Sequence, residues 1–412
     1  MKEKEEIYIV GAGVSGLIAA FELEQAGYHP IVIERTDEVG GRVKTLHEKG
    51  YALDLGFQVL LSAYPLAKKY LDMDKLGLVK LESGALIYAN NKSYRIGDPL
   101  RNLNVLIPTL LADIGSVGDK LKILKLNLKL KQKSLEEIFE SPETTTQDYL
   151  IEFGFSSKII ECFFRPFFAG IFLEPNLRTS SRMFEFVYKM FGEGYATIPQ
   201  AGIGEISRHL KNKLKHTQFI FNTEVEEVTK DHIALRSGES KTHGGVIIAG
   251  NASAILPDGA ENKDVEWKSC MCLYFEVDQT NIPNKTIALI SEAGNLSNNL
   301  YAFQEPNTNK NLLSVTTLQH EGKSDKEVID TVTSEIKKYT GASQVTYIQH
   351  YRISEALPDI QDLSMTARAG ENRPFENVFL AGDYLFNGSL NAAMESGRLA
   401  ANGLIESKKN KQ

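Results

Sequence analysis

Four short runs of consecutive apolar residues punctuate the chain: Ile7–Val10, Ile31–Ile33, 246–248 and Val378–Leu380. Such runs, bounded by glycine or polar positions, predict strands buried on both faces, as in a parallel sheet. Between the first two lies a helical pattern. Leu17, Ala20 and Phe21 fall at i, i+3 and i+4, Glu22, Glu24 and Gln25 take polar positions, and Gly27 can end the helix. Alternation of Leu53, Leu55 and Phe57 predicts a strand over 51–58, and 219–228 reads as two short strands. The middle of the chain changes character. Helices are expected over 63–73, 146–152 and 157–164, and strands over 271–277 and 312–317. Residues 120–133 fit both periods: leucines at 124, 126, 128 and 130 alternate with Lys or Asn, whereas Leu121, Leu124 and Leu128 suit a helix.

Composition narrows this picture. At about 150 residues per domain, 412 residues suggest two to three domains. Apolar residues at 42% and charged residues at 24% belong to an ordinary globular chain and exclude disorder. Forty-six basic against 53 acidic residues give a net charge of −7, so no electrostatic footprint for nucleic acid is present. Three cysteines cannot build a disulfide framework, and Cys270 and Cys272 lack further ligands at metal spacing. The eight histidines are scattered singly, so neither a metal site nor a Ser-His-Asp triad is expected. The first apolar run is too short for the core of a signal peptide, about 7–15 residues, and no stretch reaches the length of a membrane span. The expectation is a soluble, cytoplasmic protein with reduced thiols. Six lysines in 120–133 make a local basic patch, read either as a solvated helix or as a surface touching anionic membrane.

The candidate chemistry starts at residue 11. Gly11, Gly13 and Gly16 form a G-x-G-x-x-G with Ala12, Val14 and Ser15, set between the first predicted strand and the helix. Gly11 permits the tight turn, Gly13 lets backbone approach a pyrophosphate, and Gly16 lets helix and strand pack closely. Glu34 ends the second strand 18 residues after Gly16, where a carboxylate would accept the ribose hydroxyls of a dinucleotide. Glu34-Arg35 and then Gly40-Gly41-Arg42 follow. With these residues the chain resembles the superfamily of flavin amine oxidases, phytoene desaturases and protoporphyrinogen oxidases, closer to the desaturase and protoporphyrinogen oxidase end. The resemblance implies FAD, with Arg42 near its pyrophosphate. It also implies that the strand end Asp54-Leu55-Gly56, with Phe57, approaches the flavin ring. Val225 would contact adenine through its backbone. Gly382-Asp383 and the helix start containing Leu390 and Ala393 resemble the second flavin motif. There Asp383 would bind the ribityl chain, and N–H groups near 391–393 would face the pyrimidine oxygen.

The fold class expected is α/β: a discontinuous Rossmann-like FAD-binding domain (1–63, 206–258 and 371–412) with an inserted α+β substrate domain (64–205 and 259–370). The FAD is expected to be non-covalent, since no Cys follows Cys272 and no His follows His350. Arg165-Pro166 and the phenylalanine-rich run to Phe172 resemble a desaturase and protoporphyrinogen oxidase segment and suit an apolar substrate. The expected function is an FAD-dependent oxidoreductase of dehydrogenase or desaturase type acting on a hydrophobic small molecule. A flavin amine oxidase, a non-redox isomerase using bound flavin, and a silent FAD-binding scaffold stay open. Against the amine reading, Cys270 stands where the family's lysine would be, Lys268 is two residues away, and Ser389 replaces an aromatic cage wall; Tyr384, close by in sequence, could substitute for that wall and keeps the amine reading open. No catalytic residue or oligomeric state emerges.

Overall fold

The computed structural model describes residues 6–97, 112–260, 265–304, 310–318 and 320–410. The four apolar runs form strands of one sheet. Its order is Gln218–Ile220, Ile31–Ile33, Ile7–Val10, Gly245–Ile248 and Val378–Leu380, every neighbouring pair parallel. Val32, Ile247 and Val378 are fully buried because helices and a second small sheet cover the two faces. Helix Val14–Gln25 and helix Leu390–Lys409 lie together against this sheet. They can do so because Gly397 has no side chain: a Cβ there would sit 2.2 Å from the Ser15 carbonyl oxygen. The first helix ends as expected, with Gly27 just beyond it at φ +84°.

The second sheet is larger and mixed, in the order Val345–Asp359, Glu266–Val277, Asn311–Thr317, Ser297–Gln304, Ile287–Ile290, Gly84–Ala89 and Lys92–Gly97. Helix Asp325–Thr340 covers one face through Val328, Val332 and Ile336. The predicted strands over 271–277 and 312–317 are its central members, each longer by one or more residues.

A helical layer completes the molecule. Residues 120–132 resolve as helix, with Lys133 extended beyond it: Val117–Gln132 begins at a capping box in which Ser116 and Asp119 satisfy each other's backbone N–H. Thr146–Glu152 has the bounds expected of it. The helix expected over 63–73 is shorter, Pro65–Tyr70, since Pro65 opens it and Leu71 is already extended. The helix expected over 157–164 runs on to Phe172, as Ser157–Ile159, a π turn Ile160–Phe164, and Arg165–Phe172. The widened turn comes directly before Pro166, whose nitrogen has no hydrogen to give the preceding turn. Phe164, Phe168, Phe172 and Phe184 are buried together as core. The strand expected over 51–58 stops at Asp54. Gly56 turns the chain at φ +88°, and the backbone N–H of Leu55 donates to Lys44, so Phe57 leaves the alternation.

Candidate functional site

The glycine turn is built around the helix start. At Gly11, φ is +102°, and a Cβ would lie 2.8 Å from the Ala249 carbonyl oxygen; at Gly16 it would lie 2.1 Å from that of Gly11. These two glycines are packing requirements. Gly13 differs, because a Cβ there would meet nothing within 4 Å. Its missing side chain leaves open space in front of helix Val14–Gln25. That helix has no side-chain cap and no acid in its first turn. Its leading N–H groups therefore face this space unsatisfied, an arrangement suited to an anion.

The space continues as a cavity of ≈ 1780 Å³. This exceeds the roughly 300–1,000 Å³ of a drug-sized ligand site and leaves room for a dinucleotide together with a substrate. Of the sequence-predicted residues, Gly11, Gly13, Val14, Ser15, Glu34, Arg35, Gly41, Arg42, Gly56, Phe57, Val225, Gly382, Asp383, Leu390 and Ala393 all line it. Gly16 does not; it lies behind the turn, in the packing role just described.

Glu34 is nearly buried. One carboxylate oxygen accepts from the Ala12 N–H (2.8 Å) and the other from the Thr36 N–H and hydroxyl (2.9 Å each). A carboxylate has about four acceptor positions, so capacity toward the cavity remains. Arg42 is not a lone cation near the helix start. Its guanidinium donates to Asp383 at 2.5 Å and to the Ala356 carbonyl at 3.3 Å, and lies over the Trp267 ring at 5.1 Å. Two residues expected to act separately thus form one ion pair joining segments 341 residues apart. The expectation for 391–393 needs correction at 392 and 393. The Ala392 N–H donates to the Ser389 hydroxyl and the Ala393 N–H to the Ser389 carbonyl, so neither is free for a ligand. Ser389 is the N-cap of helix Leu390–Lys409, which accounts for a small hydroxyl residue at that position.

Beyond the turn, the cavity walls become apolar. Phe167, Ile171, Met183, Val187 and Phe191 come from the helical layer, and Ile287 and Leu289 from the large sheet. The phenylalanine run therefore divides, with Phe164 and Phe168 in the core and Phe167 facing the cavity beside Phe191 at 5.4 Å. Polar groups line this end as well, among them Glu174, Thr179 and Asp359. Asn299 and Thr316, on neighbouring strands, both line the wall and are joined by a 3.3 Å hydrogen bond. Lys268 also lines it, held by Asp359 (3.2 Å) and the Thr179 hydroxyl (3.3 Å). Asn299, Thr316 and the 353–361 stretch escaped sequence reasoning, because they come from separate strands with no shared motif.

Burial sets the thiol chemistry. It pushes Cys270 up to about 12 and Cys272 to about 11, so both are protonated and poor nucleophiles near neutral pH. Asp54 is raised too, since burial outweighs the hydrogen bonds from Thr45 (2.6 Å) and the Ile203 N–H (2.9 Å). No group of three potential metal ligands occurs among the described residues.

Comparison with known proteins follows the same outline. A profile of the family described as flavin containing amine oxidoreductase matches residues 14–405. The mitochondrial protoporphyrinogen oxidase of Nicotiana tabacum is 27% identical over 168 residues, 40% of this chain and 32% of that protein. An L-amino acid oxidase of Crotalus durissus cumanensis is 29% identical over 160 residues, 36% of this chain and 32% of that protein. The matches thus span about a third of the length of these curated relatives. An oxidoreductase from Methanosarcina mazei has the same fold, with a TM-score of 0.74 at 15% identity over 97% of this chain and 100% of that one.

Proposed function

The chain belongs to the flavin-containing amine oxidoreductases, and from that premise we propose that it is an FAD-dependent oxidoreductase of dehydrogenase or desaturase type acting on a hydrophobic small molecule. One observation carries the reading: a single cavity joins an open, uncapped helix start beside Gly13 to an apolar wall of Phe167, Ile171, Met183 and Phe191. The first part fits a dinucleotide, and the second fits a substrate with few polar groups.

In this reading the N–H groups after Gly13 hold the diphosphate and Glu34 accepts the adenosine ribose hydroxyls. Val225 borders the adenine and Asp383 the ribityl chain. Arg42 offsets phosphate charge from its position over Trp267, and Gly56 and Phe57 border the flavin ring. Bound flavin would supply the redox step, accepting a hydride from a substrate carbon. The protein's part is to orient the substrate carbon, through the apolar wall and the Asn299–Thr316 pair, and to exclude water. The domain division follows the sheets. Residues 1–63, 206–258 and 371–412 carry the parallel sheet and the cofactor; 64–205 and 259–370 carry the large sheet, the helical layer and the substrate. Non-covalent attachment is favoured because Cys270, the cysteine on the cavity wall, is held as an inert thiol by burial. With no second dinucleotide turn in the sequence, oxygen, a quinone or another diffusible acceptor would reoxidise the flavin.

An amine oxidase is the second reading, favoured by Lys268 on the cavity wall. Against it, the Lys268 ammonium is paired with Asp359 and Ser389 serves as a helix cap instead of an aromatic wall. The test is anaerobic mixing of flavin-loaded protein with carotenoids, porphyrinogens, sterols and simple amines, followed by flavin absorbance. The proposal expects bleaching by an apolar polycyclic or polyene substrate and slow or no bleaching by benzylamine, a polyamine or an L-amino acid. Bleaching by an amine at turnover rates, roughly 1–10³ per second, would replace it with the amine oxidase reading. Turnover seen only after photoreduction, without net oxidation, would indicate an isomerase.

A further inference from the structure

Six large apolar side chains are exposed among the described residues, and four of them lie on one helix. On Val117–Gln132, Val117 is 70% exposed, Leu121 64% and Leu128 56%, with Leu124 between them. Their spacing, i, i+4, i+7 and i+11, draws a single stripe along the helix. The opposite face holds the helix to the protein: Leu126, Leu130 and Asp119 are buried there. Ile151, a fifth exposed apolar residue, is on the adjoining helix Thr146–Glu152, which the Lys129 ammonium reaches through Tyr149. A helix that buries one apolar face against the core and keeps a second one in water pays hydration cost without return, unless something covers it.

The flanks of the stripe identify what does. At 3.6 residues per turn, Lys120 and Lys131 border it on one side and Lys125 on the other. Lys125 and Lys131 are exposed. Lys125 Nζ lies over the Phe153 ring at 5.7 Å. A second copy of the chain would seat this stripe on its own equivalent and bring lysine flanks against lysine flanks, which is repulsive. An anionic lipid surface complements both features: the leucines enter the acyl boundary while the lysines extend to the headgroups. Helix Val117–Gln132 packs directly on Ser181–Glu193, which supplies Met183, Val187 and Phe191 to the cavity wall.

We propose that helix Val117–Gln132 docks this protein peripherally on anionic membrane, through Val117, Leu121, Leu124 and Leu128, with Lys125 and Lys131 at the headgroups. The contact is superficial, since no described helix is long and apolar enough to cross a bilayer.

The test is co-sedimentation of the full-length protein with vesicles of phosphatidylcholine alone and of an equimolar mixture with phosphatidylglycerol. Sedimentation does not depend on flavin, so the outcome is separate from the proposed activity. The expected result is binding to the mixed vesicles, weakened by salt, with little binding to phosphatidylcholine. Lys125→Gln combined with Lys131→Gln should weaken it about 30-fold, at the usual contribution per lysine near such a surface. Leu121→Ser combined with Leu128→Ser should abolish it, and unchanged thermal unfolding of both double variants confirms that they are folded. Failure of the wild type to sediment with the mixed vesicles overturns the proposal, as does equal binding by either folded double variant. Dimerisation that Leu121→Ser/Leu128→Ser removes, without vesicle binding by the wild type, also overturns it and identifies a second copy as the occupant.

Discussion

Glu34 shows how much a single residue does at the end of a strand. Its two carboxylate oxygens hold the Ala12 N–H on the glycine turn and both polar groups of Thr36, and the same side chain borders the cavity. In Glu34→Ala the turn loses an acceptor and, under the proposed function, the ribose would lose a charge-assisted hydrogen bond. FAD affinity should fall by about 1.5–3 kcal/mol, roughly ten- to a hundredfold, measured by quenching of flavin fluorescence on a variant with the wild-type unfolding curve. Unchanged affinity would remove Glu34 from the site. Residue identity alone made this position legible, because strand, turn, helix, strand and acid are all contiguous within 34 residues. The partnership of Arg42 with Asp383 was not legible. Each residue sits in a local motif of its own, and only the folded chain brings residues so distant in sequence within 2.5 Å.

At the scale of elements, helix Val117–Gln132 is held at its start by one aspartate. Asp119 closes the capping box with Ser116 and also accepts from the N–H (2.9 Å) and hydroxyl (2.7 Å) of Ser156. Burial alone would raise its pKa, but the hydrogen bonds from Ser156 and Ser116 outweigh it and hold the carboxyl at about 2. A carboxyl depressed in the folded state stabilises fully above its unfolded pKa, near 4, and loses that contribution as pH falls from there toward 2. Asp119→Asn should therefore cost about 1–2 kcal/mol at neutral pH, and the difference from wild type should shrink across that acid window. Urea unfolding at neutral pH and at the acid end of that window checks this; a gap that is the same at each would assign the cost to packing instead of charge. The sequence reading left this helix undecided between two periods. The leucines at even positions that mimic a strand are divided in the structure between the buried face (Leu126, Leu130) and the exposed stripe (Leu124, Leu128). Amphipathic on both sides, it has no single apolar face for a period to report. Strand Tyr51–Asp54 misled in the opposite way, because Leu55 and Phe57 continue the alternation in sequence although the strand has ended at Asp54 and the chain turns at Gly56.

For the whole molecule, the parallel sheet was readable because each of its central strands is a short apolar run beside a glycine or an acid. The large sheet was readable only in part. Its order depends on pairings between segments far apart, such as Ile287–Ile290 with Gly84–Ala89, which local patterns cannot specify. The cavity's apolar end inherits this limit, since Asn299, Thr316 and Lys268 come together through sheet register. What unites the two sheets is the cavity itself, and the central claim is that its glycine-lined part holds FAD. The direct measurement is the absorption spectrum of the purified protein, followed by denaturation and chromatography of what is released. The account predicts a yellow protein that releases FAD and no FMN, because Glu34 and the helix start after Gly13 address the adenosine half that FMN lacks. A colourless protein that takes up no FAD on reconstitution, or one that releases FMN, would contradict it.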